Sequence, residues 1–184
     1  MPVAQTIYDE TIRNGFAKLL TVNTSGPSTA ILAFTSIPIS TYGTFWFDLD
    51  KLTTSVNATP LVEIGTGGSW STINYRYSGT VISSISPVSV TGNNSSPAII
   101  ALHGNFTGGA NPMSGRVRMY FGPAQFAAIL VQHSQTGSSA YCNTFNGCGY
   151  ADNHPGADAV RFYPNSGVWT GGSIRMYGLK TGAM

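Results

Sequence analysis

Four residues in one short stretch have side chains that can bind a metal or act as a nucleophile: Cys142, Cys148, Asp152 and His154. Structural zinc sites usually take cysteines two to four residues apart, whereas five residues separate these cysteines and five more precede His154. A cysteine nucleophile needs an oxyanion site and an orienting partner, and the sequence shows no pattern for either. Two interpretations are favoured: a disulfide, joining Cys142 to Cys148 or reaching a neighbouring subunit, or a pair of free thiols.

The seven carboxylates are few for a chain of 184 residues. Asp48 and Asp50 are two residues apart and therefore share one face of a strand, so a pair is formally available. The catalytic carboxylates of a glycosidase, however, flank a sugar in a cleft and usually come from separate elements. Asp9, Glu10 and Glu63 also lie in patterns typical of solvent-facing positions. We expect no enzymatic activity and no metal or cofactor.

Aromatic side chains in polar or glycine-rich segments form a third candidate surface. Aromatic rings stack on sugars, but they also dominate protein interfaces. A subunit interface is therefore the favoured interpretation, and binding of a sugar is the alternative. The residues concerned are Trp70, Tyr75, Tyr77, Tyr141, Phe145, Tyr150 and Trp169.

The composition limits the partners. Charged residues make up 9% of the chain and the net charge is +2, with nine Lys and Arg scattered along the sequence, so no basic stripe is available for nucleic acid. The N-terminus lacks the cationic start and apolar centre of a signal peptide, and nowhere do about 18 apolar residues run together. We expect synthesis in a cytoplasm and no membrane span.

The elements that must position these residues follow a period of two. In "TFWFDLD", Phe45 and Phe47 share one face and Trp46, Asp48 and Asp50 share the other. Two further segments, "GRVRMYFG" and "TGGSIRMYGLK", resemble each other and alternate in the same way. Each places its apolar residues on one face and its Arg and Tyr residues on the other. Because their flanking sequences differ, we predict two strands with similar roles in one sandwich, with glycines that let the backbone turn at the strand ends.

The whole pattern predicts an all-β protein built as a single antiparallel β-sandwich over residues 26–184. Residues 1–25 are predicted to be an N-terminal docking segment, with a short amphipathic helix over residues 3–13. The segment "GTGGSWS" is predicted to be a turn, and residues 136–155 are predicted to be a long exposed loop because periodicity is lost there.

The order of several segments resembles a group of bacteriophage virion proteins. The early element of that group is F-x-x-I-P, matched by Phe34, Ile37 and Pro38. The late element is a terminal glycine-rich strand with a Tyr-Gly pair, matched by the segment from Gly172 to Leu179. The resemblance covers residues 30–180, and both motifs are short.

This resemblance implies a jelly-roll-like β-sandwich on the outside of a phage particle, in a tail-fibre, collar or head-decoration protein. It implies no catalytic residues. We expect self-association, as a homotrimer, and contacts with other virion proteins such as capsid, collar or tail subunits. A disulfide of Cys142 or Cys148 is expected to form after release of the particle into oxidising surroundings.

Overall fold

A computed structural model of the chain describes residues 17–24, 26, 28–70, 75–83, 89–93, 100–101, 112–121, 127–136, 142–151 and 156–179. All regular structure within these residues is β-strand, which confirms the predicted all-β class. In this part of the chain no helix has the length and apolarity needed to cross a membrane. The strands are β1 (Ala17–Thr24), β2 (Leu32–Phe34), β3 (Thr44–Thr54), β4 (Pro60–Thr66), β5 (Ser69–Trp70), β6 (Tyr75–Ser83), β7 (Ser89–Asn93), β8 (Ile100–Ala101), β9 (Met113–Phe121), β10 (Ala127–Thr136), β11 (Cys142–Ala151), β12 (Ala159–Pro164) and β13 (Trp169–Leu179).

The strands form two antiparallel sheets. Sheet A has the order β1-β13-β3-β9-β10-β11-β6-β7. Sheet B has the order β2-β12-β4-β5, and β8 also pairs with β4. The two similar segments of the sequence are β9 and β13, and they lie on either side of β3.

The two sheets pack through an aromatic core. The ring of Phe47 on sheet A lies 5.2 Å from that of Phe34 and 5.3 Å from that of Phe162, both on sheet B. All three side chains are buried, and burial of each contributes about 1.5–3 kcal/mol. The alternation predicted for β3, β9 and β13 is confirmed, because their apolar faces line this core.

The N-terminal boundary of the sandwich lies before residue 26. Strand β1 pairs with β13 from Ala17 to Thr24, and the Asn23 side chain donates a hydrogen bond of 2.6 Å to the Ala33 carbonyl beside sheet B. Residues 17–24 of the predicted docking segment, residues 1–25, thus pair into sheet A. The predicted helix over residues 3–13 lies outside the described residues.

The predicted loop over residues 136–155 is also corrected. Residues 142–151 form β11, which pairs with β10 on one side and with β6 on the other. Residues 142–151 are therefore an inner strand of sheet A, although their sequence pattern indicates irregular structure.

The glycines of β13 act inside the strand and not at its ends. Gly172 has a φ of 96°, and a Cβ there would lie 2.6 Å from the carbonyl oxygens of Asp50 and Lys51. It allows the bulge by which β13 follows β3. Gly178 lies beneath the ring of Tyr42, where a Cβ would come within 2.6 Å of the ring. The prediction that these glycines serve turns at the strand ends is therefore wrong. The predicted turn in "GTGGSWS" is confirmed, since Gly67 and Gly68 both have positive φ and join β4 to β5.

Candidate functional site

The outer face of sheet A carries a cluster of arginines and aromatic residues, because β9 and β13 flank β3. Paired residues of neighbouring strands share a face, so their polar residues meet there. Asp48 lies between Arg116 and Arg175, and Trp46 lies between Arg118 and Tyr177. We call this surface the arginine–aromatic face, and it comprises Trp46, Asp48, Asp50, Arg116, Arg118, Tyr120, Arg175 and Tyr177.

The two similar segments, β9 and β13, are offset by two residues relative to each other across β3. In sequence, the "RMY" of β9 aligns with the "RMY" of β13, which matches Arg118 with Arg175. In the sheet, however, Arg175 lies level with Arg116, across Asp48. The offset brings Arg118 beside Trp46 and leaves it without a carboxylate opposite it on β3.

Two of the three arginines form ion pairs. The Arg116 guanidinium donates to Asp48 through Nε at 2.6 Å and through Nη2 at 3.3 Å, and this hydrogen bonding raises the pKa of Arg116 above its ordinary value. Arg175 Nη2 lies 3.1 Å from Asp50 Oδ2. Both pairs are partly exposed, and pairs of this kind contribute about 0–1 kcal/mol.

Arg118 is held by aromatic rings. Its guanidinium carbon lies 4.8 Å from the centre of the Tyr120 ring and 5.9 Å from that of Trp46, whose ring also lies 4.6 Å from Arg116. Cation–π contacts of this kind are worth about 0.5–1 kcal/mol at exposed sites. Within the described part of the chain, Arg118 Nε and Trp46 Nε1 are enclosed donors without an acceptor.

The arginine–aromatic face therefore offers donors, rings and one unpaired positive charge. Asp48 and Asp50, the carboxylates considered above as a catalytic pair, are each bound by an arginine on an open strand face. That arrangement suits recognition of a ligand that accepts hydrogen bonds, and it does not resemble the cleft of a glycosidase.

A second cluster lies on sheet B around Glu63. The prediction that Glu63 faces solvent is wrong, because the residue is only 1% exposed. Its carboxylate pairs with the Arg161 guanidinium, which stacks 4.7 Å from the centre of the Trp70 ring and 5.2 Å from that of Tyr163. Register explains the pairing, since Arg161 lies directly opposite Glu63 on β12.

Burial controls the ionisation of this second cluster. Desolvation raises the pKa of Glu63 above its ordinary value, and the hydrogen bond and charge of Arg161 offset part of that effect. Desolvation also raises the pKa of Tyr163 to about 12, with a further contribution from the negative charge of Glu63. Breaking a buried pair of this kind costs about 3–5 kcal/mol, so its geometry favours a structural role.

The seven predicted aromatic residues do not share one surface. Trp169 belongs to the core, fully buried, with its Nε1 donating to the Phe162 carbonyl at 3.3 Å, so its predicted interface role is wrong. Trp70 is half-buried beneath Arg161. Tyr141 lies outside the described residues.

The backbone register separates the other four aromatic residues. Tyr75, Tyr77 and Phe145 take positions on the core-facing side of sheet A, in register through β11 and β10 with Phe121, Met119 and Gly115 of β9. Tyr150 takes a position on the opposite side, in register through Ala128 with Tyr120. Of the four, Tyr150 alone therefore lies on the side of the arginine–aromatic face.

The structure excludes a disulfide between Cys142 and Cys148. Both residues lie on β11, six positions apart. An extended strand rises about 3.3 Å per residue, so their Cα atoms are about 20 Å apart, whereas a disulfide needs about 4.4–6.8 Å. The same separation prevents both from binding one metal ion, and Asp152 and His154 lie outside the described residues. A bond to another subunit stays a prediction.

Sequence reasoning found the faces of β3, β9 and β13 but missed that they adjoin. The available signal was one alternating strand that carries Asp residues and two that carry Arg residues, since opposite charges pair across strands. For Glu63, the signal was a single carboxylate in an otherwise apolar strand, matched by a single arginine in "AVRFYP".

Comparison of the chain with protein-family models, with curated proteins and with solved structures finds no match.

Proposed function

We propose that this protein is a structural component of the exterior of a bacteriophage particle. It folds as a jelly-roll-like β-sandwich, self-associates as a trimer, and docks on a capsid, collar or tail subunit. Its work is mechanical, holding neighbouring subunits together. The proposal rests on the resemblance of the sequence to virion surface proteins.

One observation carries the proposal: residues of both motifs lie in one buried core, and Tyr42, which follows the early motif, packs on the late motif. Phe34 and Ile37 are core residues, and the Pro38 carbonyl accepts hydrogen bonds from Thr41 and Tyr42 at 3.0 and 3.1 Å. This turn positions the Tyr42 ring on Gly178 of the late motif. The motif residues thus have packing roles, as expected of a scaffold signature.

The state of the acidic residues also favours a structural role. Four carboxylates lie in the described part of the chain, and each is engaged. Asp48, Asp50 and Glu63 are ion-paired, and Asp158 Oδ1 accepts a hydrogen bond of 2.7 Å from the Gly67 amide. No two of these four are seen to flank a sugar-binding cleft, which is the arrangement that glycoside hydrolysis uses.

Intact phage particles test the proposal. Antibody labelling of purified particles is expected to locate the protein at the shell, neck or tail, and native mass spectrometry is expected to give a trimer. Stripped particles should rebind the purified protein. Absence of the protein from washed particles, or failure to rebind while the protein remains folded, would refute the proposal.

A receptor-binding module for a bacterial surface glycan is the second candidate function. The specific observation in its favour is the arginine–aromatic face, where rings and unpaired donors lie side by side. Blocking of phage adsorption by the purified protein tests it, and the expected result is a dose-dependent loss of adsorption. No blocking by folded protein that still rebinds stripped particles would exclude it.

A further inference from the structure

We propose that Arg118, on the arginine–aromatic face, binds the carboxylate of an acidic saccharide, a uronic-acid or sialic-acid unit of a bacterial surface glycan. This inference rests on the second candidate function and names its ligand class. The binding site consists of the Arg118 guanidinium between the rings of Trp46 and Tyr120.

The balance of charges on the arginine–aromatic face favours binding of an anion at Arg118. Three guanidinium groups stand there against two carboxylates, which Arg116 and Arg175 engage. Within the described residues, Arg118 has no acidic partner. A planar guanidinium matches a carboxylate bidentately and makes one of the stronger hydrogen-bonded pairs found in proteins.

The rings prepare Arg118 for binding. Its side chain lies against Tyr120 and Trp46, so little of its conformational freedom remains to be lost when an anion arrives. Its Nε is enclosed without an acceptor, while its terminal Nη groups are not among the enclosed donors. Arg118 is half-buried, so part of its side chain is accessible to a carboxylate from solvent.

The exposed aromatic residue of the face suits a saccharide. Among the described side chains of β3, β9 and β13, Tyr120, at 38% exposure, is the one large hydrophobic residue that is exposed. The other two such residues, Ile31 and Val56, lie outside β3, β9 and β13. The open ring of Tyr120 suits the C–H face of a sugar.

The described part of a second copy of the chain is a poor source of the carboxylate. The acidic residues of the described ranges are already ion-paired or hydrogen-bonded, so their recruitment to Arg118 would break an existing contact. A polyanionic sugar brings its own carboxylates and leaves these contacts intact.

Calorimetric titration of the full-length protein tests the inference. The probes are tetragalacturonate, a hyaluronan tetrasaccharide and trisialic acid, compared with the neutral cellotetraose and with tetraglutamate peptide. At least one acidic saccharide is expected to bind more tightly than cellotetraose and tetraglutamate, with an affinity that falls as salt rises.

Three variants locate the site. Arg118→Met keeps the apolar stem and removes the charge, and it should weaken binding of the acidic saccharide by about 10- to 100-fold. Arg118→Lys keeps the charge without the planar fork and should give an intermediate loss. The matched control is Lys51→Met, which removes a cation about 16 Å away along β3 and should change binding by less than about twofold. Unchanged thermal melting shows that each variant is folded.

Each remaining outcome overturns the inference. Equal losses of saccharide affinity in Arg118→Met and Lys51→Met would mean that the acidic saccharide is attracted nonspecifically by positive charge. Equal binding of tetraglutamate would favour a protein partner, and equal binding of cellotetraose would remove the role of the carboxylate. If no acidic saccharide binds while the protein labels intact particles, the inference fails and the structural proposal stands.

Discussion

Substitution of Gly178 by alanine tests the packing of Tyr42, which follows the early motif, on the late motif. A Cβ at this position would lie 2.6 Å from Tyr42 Cγ and 2.8 and 2.9 Å from its Cδ atoms, well inside the usual carbon contact of about 3.5–4.0 Å. Overpacking of this kind costs about 1–3 kcal/mol. The smaller freedom of alanine in the unfolded chain offsets about 0.4–1 kcal/mol. We therefore expect a net loss of about 1–2 kcal/mol in the free energy of unfolding.

A double-mutant cycle identifies the Tyr42 ring as the cause. In a Tyr42→Ala background the space above residue 178 is empty, so Gly178→Ala should be neutral or stabilising, with a coupling of at least about 1 kcal/mol. Gly26→Ala is the matched control, because the nearest atom to its Cβ is Thr29 Oγ1 at 3.6 Å, and it should change stability by less than about 0.5 kcal/mol.

Urea denaturation followed by tryptophan fluorescence measures all four members of the cycle. The midpoint is expected to change while the slope stays constant. An equal cost of Gly178→Ala with and without the Tyr42 ring would refute the packing argument, and so would wild-type stability in the single variant.

Three further predictions concern the other clusters. Arg161→Met leaves the buried carboxylate of Glu63 without its ion-pair partner and should lower the free energy of unfolding by about 3–5 kcal/mol. Arg116→Met removes one partner of an exposed pair and should lower it by about 1 kcal/mol or less. Equal losses of the two variants in urea denaturation would contradict this prediction. The pKa of Tyr163, raised from 10.0 to about 12 in the fold, implies stabilisation that is complete below pH 10 and lost as pH rises toward 12. Urea midpoints between about pH 9 and 11 should therefore fall more in the wild type than in Tyr163→Phe, and parallel curves would count against it. Peptide mapping of the folded protein without reduction should find no bond between Cys142 and Cys148, and a cross-linked peptide would mean that β11 is not extended.

The faces of the central strands could be predicted because alternation is a local property. Phe45, Val117 and Ile174 are buried as the period of two indicates. Their adjacency could not be predicted in the same way. Adjacency depends on pairing between β3 and two strands, β9 and β13, that lie more than 60 residues further along the chain. The alternating pattern within a strand does not show which other strands pair with it.

The wrong predictions share a physical cause, which is burial by tertiary contacts. Residues 142–151 contain small and polar residues with low strand preference, yet β10 and β6 supply partners on both sides. Trp169 stands next to glycine-rich sequence typical of a turn, but its ring fills the core. Glu63 is buried together with Arg161, which lies 98 residues further along the chain. The sequence around Glu63 therefore does not indicate its partner.

The position of β13 has a consequence for synthesis. Hydrogen bonds join this strand to β1 on one side and to β3 on the other, so these two neighbours wait for a partner that the ribosome makes more than 100 residues later. Until then the nascent sheet has a slot about 10 Å wide, edged by unpaired amide and carbonyl groups. A prematurely terminated chain keeps that slot open and exposes two adhesive edges. Closure of the slot thus distinguishes chains that contain β13 from shorter fragments.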